Sequence, residues 1–306
     1  KHNSMPHTGI HSISVPGAVD GWAQLLKRHG TISLSRALAP AIKYARNGFV
    51  VTEIIANQWG ASEPLLRRDP NAASTFLPNG RAPKAGETFC NPKLATTLER
   101  LSSDGAETFY RGELAHEISK DLSRRGSWFS EKDFTSHRSD WVTPLRTMFR
   151  GREILELPPN TQGLTAIEIL NLLDEYDLEA LGHNSPSYLH LFIEAVRIAF
   201  ADREAYVADS TAVDPNVIKY LCSKRYADSR RNEIEPTRTA SHVAAWRKDG
   251  PLSPPRIGSG DTVCLSAADS NGNIVSLIQS LFGAFGSGVM AGDTGIVLQN
   301  RASLFS

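Results

Sequence analysis

The stretch Thr262-Val-Cys-Leu-Ser-Ala-Ala-Asp-Ser-Asn-Gly-Asn-Ile-Val-Ser-Leu-Ile-Gln-Ser280 reads as two β-strands joined by a tight turn. Thr262 to Ala268 and Asn273 to Phe282 carry strand composition, and Asp269-Ser-Asn-Gly272 has turn chemistry with Asn271-Gly272 at its tip. A turn centred there sets residues 262 and 280 opposite one another, so that two hydroxyls face across the hairpin. Ahead of Thr262 lies the polar, Gly- and Pro-rich run Pro251-Leu-Ser-Pro-Pro-Arg-Ile-Gly-Ser-Gly-Asp261. A threonine that opens a strand directly after a cuttable linker suits a self-cleaving enzyme, because the freed α-amine serves the threonine as its own base. A strand threonine also has an ordinary structural reading, and these residues alone leave both open.

Working outward, 306 residues suffice for one large domain or two ordinary ones. Lys plus Arg balances Asp plus Glu at 33 each, so no global field recruits nucleic acid or an anionic membrane, and small-molecule or protein partners are favoured. The three cysteines, Cys90, Cys222 and Cys264, are too scattered for a disulfide framework, and no spaced Cys or His pair suggests a metal. No cofactor is expected. Lys1-His-Asn-Ser-Met-Pro lacks signal-peptide character and no apolar run is long enough to span a bilayer; the cytoplasm is slightly favoured, but localisation is left open because the N-terminus is expected to be missing. The start without Met and the end at Leu304-Phe-Ser306 are expected to be cuts from a longer chain.

Helical periodicity is expected over Ala23–His29 after the stretch Val15-Pro-Gly-Ala-Val-Asp-Gly-Trp22, then over Leu34–Asn47, Lys93–Ser102 and Glu113–Arg125. Val142 to Arg150 and Arg152 to Leu157 straddle Gly151 as a hairpin. Asn160-Thr-Gln-Gly163 is expected to cap a helix over Leu164–Asp174, with another over Ser187–Arg203. Residues 228–261 read as an exposed linker, Gly283 to Gly295 as a glycine-rich loop, and Ile296 to Asn300 as a strand.

Other motifs favour plain accounts. Gly286-Ser-Gly288-Val-Met-Ala291 fits a dinucleotide fingerprint, but Gly292-Asp-Thr-Gly295 cannot continue the helix that a pyrophosphate requires. These glycines therefore bring a loop backbone close to packed chain or to substrate. The nine histidines are dispersed, and no Gly-x-Ser-x-Gly elbow supplies a triad serine. Asp202, Glu204 and Asp209 are expected on a solvated helix face, and Asp20 is expected to bond local backbone.

The order Val15 to Trp22, then Leu157-Pro-Pro-Asn-Thr-Gln-Gly-Leu-Thr-Ala166, then Gly260-Asp-Thr, Asp269-Ser-Asn-Gly-Asn, Phe285-Gly-Ser-Gly-Val and Gly295-Ile-Val-Leu-Gln-Asn300 resembles the gamma-glutamyltransferase family of N-terminal-nucleophile hydrolases. The resemblance runs through essentially the whole chain. It implies an α+β fold, an αββα sandwich of two antiparallel sheets between helices, made as a precursor that cuts itself into two subunits. Residues 1–261 then correspond to the large subunit and 262–306 to the start of the small one, within one structural domain. The cut falls between Asp261 and Thr262, Thr262 becomes the nucleophile, and Ser280 takes the place of the family hydroxyl that bonds it. The partners implied are a small amide substrate, water or an amine acceptor, and the chain's own second subunit, with a homo- or heterodimer of processed subunits left open.

Three departures bear on substrate. Family transferases hold the glutamate head group with an Asn two residues after that hydroxyl and with a Gln and an Asp shortly after the Leu-x-Asn strand. Phe282, Arg301 and Leu304 stand at those places. Phenylalanine and leucine cannot receive an ammonium group and arginine repels one, whereas Arg301 can pair with a carboxylate. The expected substrate is a small carboxylate-bearing amide of the oxamate or acylase type, bound by Arg301 and Phe282. A true gamma-glutamyl transferase with a rearranged pocket, and an inactive relative serving as a binding module, are the other readings. The family's substrate-carboxylate arginine and oxyanion glycines are expected outside residues 1–306.

Overall fold

The computed structural model of the protein describes residues 5–247 and 260–305. The chain divides into two compact units, Lys1–Ser139 with Gly258–Ser306, and Asp140–Ile257. The first unit draws on residues from both sides of the 261/262 bond.

In the first unit the helix Ala18–His29 begins ahead of the expected Ala23. Its first turn is fixed from outside: the Tyr110 hydroxyl accepts from Asp20 N at 3.0 Å and donates to Pro16 O at 2.8 Å. The Asp20 carboxylate in turn accepts from Ser139 N at 2.6 Å and from the Gln24 side-chain amide at 3.2 Å, so it bonds a distant backbone N–H and a side chain one turn on rather than the local backbone expected. Leu34–Asn47 forms as expected, capped by Ser33 and stopped at Gly48 with φ 86°. Pro92–Asp104 and Glu113–Arg124 match the other two patterns.

Four helices, Glu53–Leu66, Pro70–Phe76, Glu107–Arg111 and Glu131–Ser136, lie outside the sequence expectation. The first contains Pro64, which argues against a helix in sequence, yet Thr52 caps it and Trp59 and Leu66 bury its inner face. A minimal antiparallel pair, β1 (Phe49–Val50) with β2 (Thr88–Phe89), packs Phe89 onto Trp59. Trp59, Phe76, Phe89, Met290 and Val297 form one apolar core, and Leu101, Phe109, Leu114, Ile118 and Phe134 belong to another.

The second unit holds a hairpin of β3 (Leu145–Phe149) and β4 (Arg152–Glu156) in the expected place. Its two-residue turn puts both Arg150 and Gly151 at positive φ, as the twist of a tight hairpin requires. The helices Gly163–Leu173, Leu178–Leu181, Pro186–Tyr206, Pro215–Leu221 and Lys224–Arg231 complete the described part of the unit. Asn160-Thr-Gln does not cap the first of them by side chain: the Thr161 hydroxyl donates back to Leu157 O at 2.8 Å instead. Asp202 is not on a solvated face; its relative exposure is 0%. The expected linker is also partly structured, since a helix runs to Arg231 and side chains of this unit hold residues 240–246, while 248–259 lie outside the described residues.

In the first unit, β5 (Gly260–Ala268) and β6 (Ile274–Gly283) form the antiparallel hairpin read from the sequence. The Asp269 carboxylate organises its turn by accepting from Asn271 N and Asn273 N, each at 2.9 Å. The glycine-rich loop that follows packs closely against protein. A Cβ on Gly286 would stand 2.5 Å from Leu298 O, and one on Gly295 would stand 2.3 Å from Leu94 N. The expected strand at 296–300 is reduced to a bridge between Met290 and Val297, because bent backbone pairs such as Ser287 N to Leu298 O already satisfy it.

The glycines give a graded test. Gly272→Ala, at φ 81° with open space around it, should cost roughly 1–2 kcal/mol. Gly295→Ala adds a backbone clash to positive φ and should cost roughly 3 kcal/mol or more by urea denaturation. Equal losses would contradict the close packing of this loop.

Candidate active site

Strand pairing sets the geometry around Thr262. The register runs regularly from Ala268↔Ile274 back to Thr262↔Ser280, then shifts, so that Asp261 pairs with Phe282 and Leu281 is left over. One extra residue on β6 is a β-bulge, a device that re-aims side chains at the end of a ladder. The Asp261–Thr262 peptide therefore lies at the irregular step of the hairpin, inside β5 rather than in the linker.

The Thr262 hydroxyl donates to Ser280 Oγ at 2.9 Å. The same oxygen accepts from Phe282 N at 2.7 Å. Ser280 Oγ is thus fixed by backbone two residues on, while Thr262 is exposed at the surface. A hydroxyl so oriented keeps its lone pairs free of the contact it donates to.

The far end of β6 is anchored by a buried amide. Asn300 Oδ1 accepts from Gly283 N at 2.9 Å, Asn300 N donates to Leu281 O at 3.1 Å, and Asn300 Nδ2 donates to His7 O at 2.8 Å. Gln299 Nε2 adds a bond to Ser14 O at 2.9 Å. On the opposite flank, Trp22 Nε1 donates to Gln279 Oε1 at 3.0 Å, which ties the Val15–Trp22 stretch to the residue beside Ser280. Sequence reasoning did not single out Asn300, Gln279 or Trp22. The available signal was Asn300 itself, a polar residue two positions after the apolar run Ile296-Val-Leu298, where burial demands partners.

Phe282 and Arg301 come together. Phe282 has φ 76°, a conformation that a bulky side chain rarely adopts, and its ring lies 5.2 Å from the Arg301 guanidinium carbon. Read separately as two departures in sequence, they form one cation–aromatic wall beside the Gly283–Asn300 bond. Leu304 ends the same short turn, Arg301–Leu304, with its side chain exposed. Among the described residues no group of His, Cys, Asp and Glu is placed to hold a metal, and no helix is long and apolar enough to cross a membrane.

The gamma-glutamyltranspeptidase family model matches residues 1–306. The glutathione hydrolase-like YwrD proenzyme of Bacillus subtilis is 39% identical over 99% of this chain and 56% of its own. The acylase ACY 1 proenzyme of Pseudomonas sp. strain V22 is 35% identical over 95% of this chain and 51% of its own. Cephalosporin acylase from Bacillus halodurans superposes with a TM-score of 0.86 at 35% identity, covering 99% of this chain and 54% of that one. The chain thus spans about half the length of the relatives it matches. Matched from end to end and sharing the N-terminal-nucleophile hydrolase fold of these relatives, the chain belongs to the gamma-glutamyltranspeptidase family.

Proposed function

We propose that the full-length protein is an autoprocessing amide hydrolase with Thr262 as nucleophile. The observation that carries this reading is the Thr262–Ser280 hydroxyl pair at a bulge adjoining the Asp261–Thr262 peptide, in a chain of this family. Thr262 Oγ attacks the Asp261 carbonyl carbon and gives up its proton. The C–N bond breaks as the amine takes a proton, leaving Asp261 as an ester on Thr262. Water then hydrolyses the ester, releasing the Asp261 carboxylate and regenerating the hydroxyl beside a free α-amine. That amine, with an ordinary pKa near ~8, accepts the hydroxyl proton in each later turnover. Attack on a substrate amide gives an acyl-Thr262 ester and an amine, and water or an amine acceptor resolves the ester. Ser280 orients the nucleophile throughout.

The Phe282–Arg301 wall supports a small, carboxylate-bearing amide as substrate, of the acylase or oxamate type. Its guanidinium suits an anionic acyl group, and the aromatic ring beneath it leaves no acceptor for an α-ammonium group. The name of the Bacillus subtilis relative favours a second reading, turnover of gamma-glutamyl compounds in a rearranged pocket.

In the full-length protein, Thr262→Ala should abolish cutting at 261/262, and Ser280→Ala should slow it by about 10²-fold in a gel time course. Wild-type speed in a folded Ser280→Ala protein would remove the orienting role. For the processed enzyme, Arg301→Leu should raise KM for an anionic amide by about tenfold with kcat little changed. An unchanged KM would free Arg301 of its role, and efficient turnover of gamma-glutamyl anilides by the unaltered enzyme would favour the second reading.

A further inference from the structure

Two contacts on the back of the β5–β6 hairpin bear on the hydroxyls at its front. Strand alternation puts Thr262 and Ser280 on one face and the facing pair Val263 and Gln279 on the other. The residue after Ser280, Leu281, sits at the bulge and packs against the core of Trp59, Phe76, Met290 and Val297. The residue before it, Gln279, reaches a different core. Its Oε1 accepts from Trp22 Nε1 at 3.0 Å, and the half-buried Trp22 ring packs against the cluster that contains Leu101, Phe109, Leu114 and Ile118. Ser280 therefore stands between two neighbours tied to two separate apolar cores.

Trp22 is itself well held. It lies in the second turn of the helix Ala18–His29, whose start is set by the buried Tyr110 hydroxyl between Asp20 N and Pro16 O. The Asp20 carboxylate fastens the same turn to Ser139 N. An indole seated in this way is a rigid arm: its ring is packed, and its one donor reaches out to the strand.

We propose that Trp22 and Gln279 are positioning residues for Thr262, their bond acting as a latch that fixes the strand beside Ser280. This rests on the reading of Thr262 as nucleophile given above. A bulge is the step at which a ladder bends most easily, and a single tie at Leu281 leaves β6 free to tilt about it. Ser280 Oγ accepts from Phe282 N across that step and from the Thr262 hydroxyl across the strands, so a tilt at Leu281 moves the acceptor that aligns the nucleophile. The tie at Gln279, on the near side of Ser280, removes that freedom.

The size of the effect follows from the kind of bond. Displacing a reacting group by about an ångström can cost about 10²-fold in rate, but Gln279 is exposed and water takes the place of a lost Trp22 donor. The latch is thus worth about fivefold, the scale of one net hydrogen bond. Both side chains lie behind the strand, on the face away from the Thr262 hydroxyl, so the loss falls on the rate of the step and not on substrate binding.

The test uses the full-length protein and looks for coupling between the two side chains. Trp22→Phe keeps an aromatic ring and removes the donor, Gln279→Leu removes the acceptor, and Gln279→Glu keeps an Oε acceptor. In a gel time course, Trp22→Phe and Gln279→Leu should each slow cutting at 261/262 about fivefold, and the double variant should slow it no further. Gln279→Glu should cut at close to the unaltered rate. In the processed enzyme, Trp22→Phe should lower kcat for an anionic amide about fivefold with KM within about twofold. Losses that multiply to about 25-fold in the double variant are two independent effects and overturn the latch. Unaltered cutting in a folded Trp22→Phe protein, Gln279→Glu as slow as Gln279→Leu, or a raised KM with kcat unchanged would each overturn it too. Circular dichroism reports folding, and if Trp22→Phe fails to fold, the exposed Gln279 variants decide alone. An unaltered, folded protein that never cuts removes the nucleophile reading and this proposal together, whereas cutting indifferent to both side chains removes this proposal only.

Discussion

The buried amide of Asn300 is the constraint on which the site depends. One side chain and its own backbone N–H join the end of β6, through Gly283 N and Leu281 O, to the N-terminal segment at His7 O. A polar group removed from water must make its bonds, so this junction has little freedom to shift. With β6 pinned at Gly283, the ladder can reach the regular register below Thr262 only by leaving Leu281 unpaired. The resulting bulge sets Phe282 N on Ser280 Oγ and Ser280 Oγ on Thr262. Anchoring, bulge and hydroxyl pair are one mechanical chain.

That chain also couples the two ends of the first unit. Ser14, His7 and Trp22 each bond a residue of the segment after Thr262, so residues far apart in sequence brace one hairpin. The glycines of the following loop serve this bracing by letting backbone approach backbone. In the proposed enzyme such bracing would hold the hairpin still when the Asp261–Thr262 bond is broken, leaving Thr262 in place with a new amine.

Much of this was legible in sequence because it rests on local rules. Asn271-Gly272 fixes the turn, the turn fixes the register, and the register places residue 262 against 280. Alternating and helical periods located Leu34–Asn47, the β3–β4 hairpin and Pro186–Tyr206 for the same reason. What was not legible depends on contacts distant in sequence. The helix with Pro64 is held by Trp59 in a core that includes Met290 and Val297, and Asp202 is buried by Tyr226 and Trp246 rather than solvated. The bulge at Leu281 and the meeting of Phe282 with Arg301 go with the Asn300 anchor, whose local signal hints at burial but not at the distant groups it bonds.

Mass spectrometry of the full-length protein tests the central claim most directly. An enzyme with Thr262 as nucleophile yields a fragment beginning Thr262-Val-Cys-Leu and, after acid quench during turnover of an amide substrate, a peptide carrying the substrate's acyl mass on Thr262. A soluble, folded protein that remains one uncut chain, or an acyl adduct on any other residue, would contradict it.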